Sequence, residues 1–405
     1  MYNGRKLTFG LAAIAAMGMV ATSAFADKMY GPGVTDDSIK LGNTMPYSGP
    51  AAAYGQIGKS TAAYFDKINK ENGGVNGRKI EFISLDDGYS PPKTKEQVRK
   101  LIEQDEVLLI FESLGTPTNS AIHNYMNQKE IPQLFVATGA TKWGDPENFP
   151  WTMGWQPSYQ TEGKLFGAYI TENVTDPKVA ILYQNDDYGK DYVHGLREYL
   201  GDKADSIIVA EESYEVTDPT INSQMIKLKD SGANVFFNVT TPKFAAQAIK
   251  KFRELNWDAV FLNNSVSNSV GSVYKPAGLD NSKGVISLMY YMDITDPANF
   301  ESEAYKKWSK FMDEYYPDGD KTSAFTAYGY LVGQTMEQVL KQAGDNLTRE
   351  NVMKEAANLD LDLDMMLPGI KIQTSPTDFF PIEAMMPVEF TGEKFNALGK
   401  VVSVN

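Results

Sequence analysis

Short apolar runs alternate along the chain with longer stretches in which apolar residues return every three to four positions. The runs cover 39–45, 79–85, 107–111, 134–136, 178–183, 206–210, 234–239, 259–262 and 284–290. Each has the length of a strand, and several, such as 107–111, are apolar at every position, as strands buried on both faces are. The intervening amphipathic stretches at 51–69, 93–104, 118–128, 159–172, 189–200, 221–230 and 242–255 predict helices. Repetition of strand, helix, strand predicts an α/β protein with parallel sheets covered by helices on both faces. Asn76-Gly77 predicts a tight reversal into the second strand. No short-period repeat interrupts the series; likeness between the two halves would be a structural duplication.

Two of these runs break into glycine and small hydroxyl residues. Phe111 leads into Glu112-Ser-Leu-Gly-Thr116, and Val136 into Ala137-Thr-Gly-Ala140. Both turns fall at the carboxyl ends of predicted strands, where open α/β sheets place ligands. The hydroxyls of Thr116 and Thr138, with nearby N–H groups, suit an anion or a carbonyl without a metal or a formal charge. Either loop alone reads equally well as an ordinary strand-to-helix turn, so the surrounding segments decide.

Those segments form an ordered series. Met45-Pro-Tyr-Ser-Gly-Pro-Ala-Ala-Ala-Tyr-Gly55 is followed by Asn72-Gly-Gly-Val-Asn-Gly-Arg78, Asp86-Asp-Gly-Tyr-Ser-Pro-Pro-Lys93, Asn185-Asp-Asp-Tyr-Gly-Lys-Asp191 and Gly369-Ile-Lys-Ile-Gln-Thr-Ser-Pro-Thr-Asp378. With the two loops above, the series resembles the periplasmic solute-binding proteins of the branched-chain amino acid type that serve ABC importers. The resemblance implies the type I periplasmic binding protein fold: two doubly wound α/β lobes joined by a hinge of three crossings. After a signal segment at 1–26 it places lobe 1 at 27–150 plus 284–366, and lobe 2 at 151–283 plus 367–405, with the ligand between them. It also implies a monomer that works with an inner-membrane ABC permease complex.

Carried over residue by residue, the resemblance puts Gly115 and Thr116 on the ligand carboxylate, with Thr138, Gly139 and Ala140 in the second carboxylate-facing loop. Tyr54 and Tyr188 would face each other across the cleft, or else be half-buried scaffold; Tyr47 and Trp143 are weaker candidates. Relatives that bind α-amino acids hold the ammonium group with two acidic residues. Here those positions fall on Gln156 and on Asn264 or Ser265, and none is charged. A desolvated ammonium without a carboxylate costs on the order of several kcal/mol. The remaining lining, Trp155, Gln156, Tyr188, Thr240, Asn264 and Ser265, suits an aromatic acid or another small carboxylate or amide-type compound better than a free amino acid. Binding of a branched-chain or related amino acid is the alternative, as is a sensory role in which the closed form is presented to a membrane signalling receptor.

Composition narrows the compartment and excludes other classes. Residues 1–26 carry Arg5 and Lys6, an apolar stretch, and Ala24-Phe-Ala26, the pattern of a cleaved secretory signal. There is no cysteine, hence no lipid-modified cysteine, disulfide or thiolate metal site. The expected product is periplasmic and not lipid-anchored. A net charge of −14 makes nucleic acid and anionic lipid poor partners. Catalysis finds no support, because the nucleophile elbow, phosphate loop and His-Glu-x-x-His patterns are absent. His123 and His194, the only histidines, sit in separate predicted helices. Asp360, Asp362 and Asp364 imitate half a calcium loop, but Met365 stands where that loop needs glycine and Lys371 where it needs glutamate. The pairs Asp86-Asp87 and Asp186-Asp187 read as turn caps or hinge-rim residues. No cofactor and no metal is expected.

Overall fold

The computed structural model describes residues 1, 2, 4 and 28–403. Nearly all of the expected signal segment lies outside the described residues. Two sheets organise the rest. In the first, Lys79–Asp86, Ser38–Met45, Leu109–Phe111, Gln133–Val136 and Thr152–Gly154 lie side by side in that order, all parallel. In the second, Ile208–Tyr214, Val179–Gln184, Val235–Val239, Val260–Asn263 and Ile286–Met289 repeat the same arrangement. Numbered along the chain, each sheet has the order 2-1-3-4-5, and its connections reverse direction beside the first strand, where doubly wound sheets open a crevice. Antiparallel strands Ala384–Phe390, Phe395–Ala397 and Val402–Ser403 extend the second sheet.

The chain passes between the sheets three times: at 155–178, at 290–302 and at 367–383. Two expected boundaries move. Thr152–Gly154 pairs with Gln133–Val136 in the first sheet, so the first crossing falls after residue 154 and not at 150. Ile286–Met289 pairs with Val260–Asn263 in the second sheet, so the second crossing comes after that strand and not before residue 284. In both cases a strand of three or four residues takes its sheet from the neighbour available to its backbone groups, which local composition does not reveal. The expected strand at 206–210 begins instead with a helical turn, Ala204–Ile207, before Ile208–Tyr214.

Helix packing then fixes the site. Ser158 caps the helix Tyr159–Asn173 by accepting from the Thr161 N–H at 3.1 Å, and Asp186 caps Asp187–Leu200 from the Tyr188 and Gly189 N–H groups. These two helices pack through glycine: a Cβ on Gly163 would lie 2.5 Å from the Tyr192 carbonyl oxygen, and one on Gly195 only 2.2 Å from that of Gln160. On the other lobe, Gly55–Asn72 meets Ala324–Ala343 in the same way, with Gly329 against the Ile57 carbonyl and the Ser60 hydroxyl donating to the Thr326 carbonyl at 2.6 Å. The Asn76-Gly77 reversal has φ of 50° and 80°, the left-handed pair that a two-residue turn of this hand requires.

Candidate functional site

Between the sheets lies a cavity with about 520 Å³ of atom-free space, the solvent at its mouth included. The carboxyl end of nearly every parallel strand reaches it. On the first-lobe side Tyr54 and Tyr89 follow the first two strands, Leu114, Gly115 and Thr116 the third, Ala137 the fourth and Gln156 the fifth. On the second-lobe side Tyr188, Thr241, Ser265 with Val266, and Tyr290 with Tyr291 follow four strands in turn. Tyr159, Ile57, Phe325 and Tyr328 complete the wall from helices. The lining is thus rich in aromatic rings and contains no Asp, Glu, Lys, Arg or His.

The polar pole is built on Thr116. Its hydroxyl lies 2.5 Å from that of Thr138, whose oxygen also faces the indole N–H of Trp143 and the N–H of Ala140, each at 3.4 Å. Either hydroxyl can donate in this pair; with Thr138 donating, as its two N–H neighbours favour, the Thr116 proton is left for a ligand oxygen. Thr116 also opens the helix Thr116–Gln128, whose preceding residue, Gly115, supplies no side-chain cap. Pro117 has no N–H, and those of Gly115 and Asn119 donate to the Ala137 and Gly115 carbonyls, so the Thr116 N–H and the positive end of the helix dipole are what meet the cavity, where a carboxylate is favoured. Gly115 has φ +99°, and a Cβ there would lie 2.4 Å from the Tyr89 ring.

Of the residues expected at the site, Tyr54, Gly115, Thr116, Gln156, Tyr188 and Ser265 line the cavity. Thr138, Gly139, Ala140, Trp155, Thr240 and Asn264 stand behind it, each holding something in front. Thr138 orients Thr116 as described. Gly139 leaves room for the first crossing: its carbonyl accepts from the Tyr159 N–H at 2.7 Å, and a Cβ would lie 2.3 Å from the Pro157 oxygen. Ala140 precedes the rim turn Thr141–Gly144. Trp155 donates to the Thr335 hydroxyl at 3.0 Å and packs edge-on against Tyr328. Thr240 donates to the Asn238 side chain at 3.1 Å, and its carbonyl accepts from the Ser267 hydroxyl. Asn264 donates its amide to the Tyr188 hydroxyl. Side-chain direction separates the two sets, and at irregular strand ends it does not follow from alternation.

The weaker candidates also stand back: Tyr47 bonds Ser84 at 2.6 Å, its phenol pushed up to about 12 by burial, and Trp143 packs against His123. His123 is itself buried, stacked on Phe149 at 4.0 Å and held down to about 4 by that burial. Asp86 and Asp87 accept from turn N–H groups. Asp187 instead crosses the cleft to Lys142 at 2.7 Å, beside Asp191, which accepts from the Thr141 N–H at 2.6 Å.

Sequence reasoning missed Tyr89, Tyr159, Tyr290, Tyr291, Phe325, Tyr328 and the buried Glu162. The rule that ligands sit at strand ends, applied to Asp86-Asp-Gly-Tyr89 and to the run ending at 290, would have found three of them. Phe325 and Tyr328 lie one turn apart on a helix distant in sequence and carry no such signal.

Tyr188→Ala strips a ring from the cavity and leaves the fully buried Asn264 amide without its acceptor. Ligand affinity is expected to fall by about 1–3 kcal/mol while the unliganded fold persists. Calorimetry together with circular dichroism checks this, and an unchanged affinity would make Tyr188 scaffold.

Two lobes of this topology enclosing a wall-to-wall lined cavity define a ligand-capturing receptor. The chain belongs to the periplasmic binding protein family, whose model matches residues 38–394. Members of this periplasmic family bind small ligands and work with ABC permeases. The chain is 28% identical over 362 residues to the Leu/Ile/Val-binding protein homolog 1 of Brucella suis, covering 87% of this chain and 88% of that one. Its fold is similar to a branched chain amino acid ABC transporter protein of Thermus thermophilus with bound valine (TM-score 0.80, 15% identity, 92% and 98% covered). It is also similar to a solute binding protein of R. palustris in complex with benzoate (TM-score 0.76, 18% identity, 91% and 98% covered). Among the described residues no helix is long and apolar enough to cross a membrane.

Proposed function

We propose that this protein captures a small organic acid, aromatic acids foremost, and delivers it to an ABC importer. The observation that carries this reading is the lining itself: eight aromatic side chains, no charged one, and a single polar pole at Thr116, made of its hydroxyl and the N-terminal end of its helix. A carboxylate satisfies the pole, and an apolar or aromatic body fills the remainder at roughly 25 cal/mol per Å² of apolar surface removed from water. A zwitterion would bring an ammonium group to a wall that offers it ring faces and neutral oxygens but no carboxylate in contact.

Calorimetry with benzoate, aliphatic monocarboxylates, leucine and valine tests the reading. Binding of acids with leucine and valine at least about tenfold weaker, a difference of roughly 1.4 kcal/mol, is the expected result. Tight leucine binding with no response to any acid would overturn it.

A further inference from the structure

Among the described residues, the carboxylate that bonds the side chain of a lining residue belongs to Glu162, in the first turn of Tyr159–Asn173, which is 1% exposed. Both of its oxygens are committed. One accepts from the Ser265 N–H at 2.6 Å; the other accepts from the Ser265 hydroxyl at 2.7 Å and from the Tyr192 hydroxyl at 2.8 Å. Among the described residues no lysine, arginine or histidine forms an ion pair with it. The groups facing it are Tyr192 on the helix Asp187–Leu200, Ser265 beyond the strand Val260–Asn263, and, by charge interaction, Tyr159 on its own helix and Tyr290 beyond Ile286–Met289. Ser265 stands between this carboxylate and the cavity. With its proton given to Glu162, the Ser265 hydroxyl shows the ligand only lone pairs, which repel an anion.

We propose that Glu162 sets the hydrogen-bond polarity that Ser265 presents to the ligand, so that capture of an organic anion is coupled to the uptake of one proton by Glu162. The proton comes from solvent and sits on the oxygen that faces the Ser265 hydroxyl. That oxygen now donates to Ser265, and Ser265 turns its own proton into the cavity toward the ligand. The anion then meets a donor, and Glu162 sets no second negative charge beside it, where two charges in a low-dielectric space would repel strongly. Burial already pushes the Glu162 carboxyl up to about 7, the Ser265 and Tyr192 hydrogen bonds opposing it, so the proton is within reach near neutral pH. An anion in the cavity raises it further. The sign follows: the bound form holds more protons than the free form, so anion affinity falls as pH rises through and above about 7.

The inference rests on the ligand being an organic acid, and benzoate is the probe. Titrations of the full chain at about pH 8 in phosphate and in Tris, whose ionisation enthalpies differ, should show uptake of about one proton per benzoate, with affinity falling about tenfold per further pH unit. Glu162→Gln should remove both effects. Asp186→Asn, altering a second buried carboxyl that caps Asp187–Leu200 and is held up to about 6, should leave them in place. Benzoate binding with a buffer-independent enthalpy, proton uptake that survives Glu162→Gln, or uptake lost in Asp186→Asn overturns the inference while the organic-acid reading stands. If neither benzoate nor any other acid of the panel binds and leucine does, that reading falls and the inference with it.

Discussion

Gly195→Ala is expected to lower the thermal midpoint by about 5 °C, although alanine is the better helix former by about 1 kcal/mol. The reason is the distance to its neighbour. A Cβ at residue 195 would lie 2.2 Å from the carbonyl oxygen of Gln160 and 2.6 Å from its Cα, both backbone atoms that no rotamer change can move. The helices Tyr159–Asn173 and Asp187–Leu200 would have to separate, opening the contact that stacks Tyr159 on Tyr192 at 4.6 Å and disturbing the fully buried Tyr192. Overpacking of this kind costs about 3 kcal/mol. Gly399→Ala, where nothing lies within 4 Å of the added carbon, is the control and should leave the midpoint unchanged. A midpoint for Gly195→Ala within a degree or two of the unsubstituted protein would show that these helices do not depend on the close approach.

Gly115→Ala is expected to weaken acid binding by about 100-fold, roughly 2.7 kcal/mol. Two effects act together. The backbone at φ +99° is one that side chains with a Cβ rarely adopt, at a cost of about 1–3 kcal/mol. The new methyl would also lie 2.4 Å from the Tyr89 ring and 2.7 Å from the Thr118 hydroxyl. Either the loop twists, which turns the Thr116 N–H and hydroxyl away from the carboxylate, or Tyr89 moves into the cavity. Both outcomes damage the pole that receives the ligand. Calorimetry with benzoate, paired with a melting curve to show that the fold persists, measures the effect; affinity within twofold of the unsubstituted protein would exclude this loop from the site.

Much of this molecule can be read locally. Strands such as Leu109–Phe111 are apolar at every position because both faces are covered, and the seven long helices between residues 51 and 255 follow from their apolar spacing. The rule that doubly wound sheets bind at strand ends then leads to the loop of Gly115 and Thr116 from sequence alone, because turn chemistry and strand direction are properties of a few adjacent residues, whereas Tyr188 came only from the family resemblance. The tertiary structure decided the rest. Thr152–Gly154 and Ile286–Met289 take their sheets from partners that close the backbone hydrogen bonds of short strands. Phe325 and Tyr328 reach the cavity because Gly329 lets Ala324–Ala343 lie close on Gly55–Asn72. Glu162 meets Ser265 across 103 residues, and Thr138 stands behind Thr116 rather than beside it. Periodicity and turn residues encode what each segment becomes. Which side chain faces the ligand, and which acid lies behind it, depends on contacts between segments far apart in the chain, and these exist only once the helices have packed.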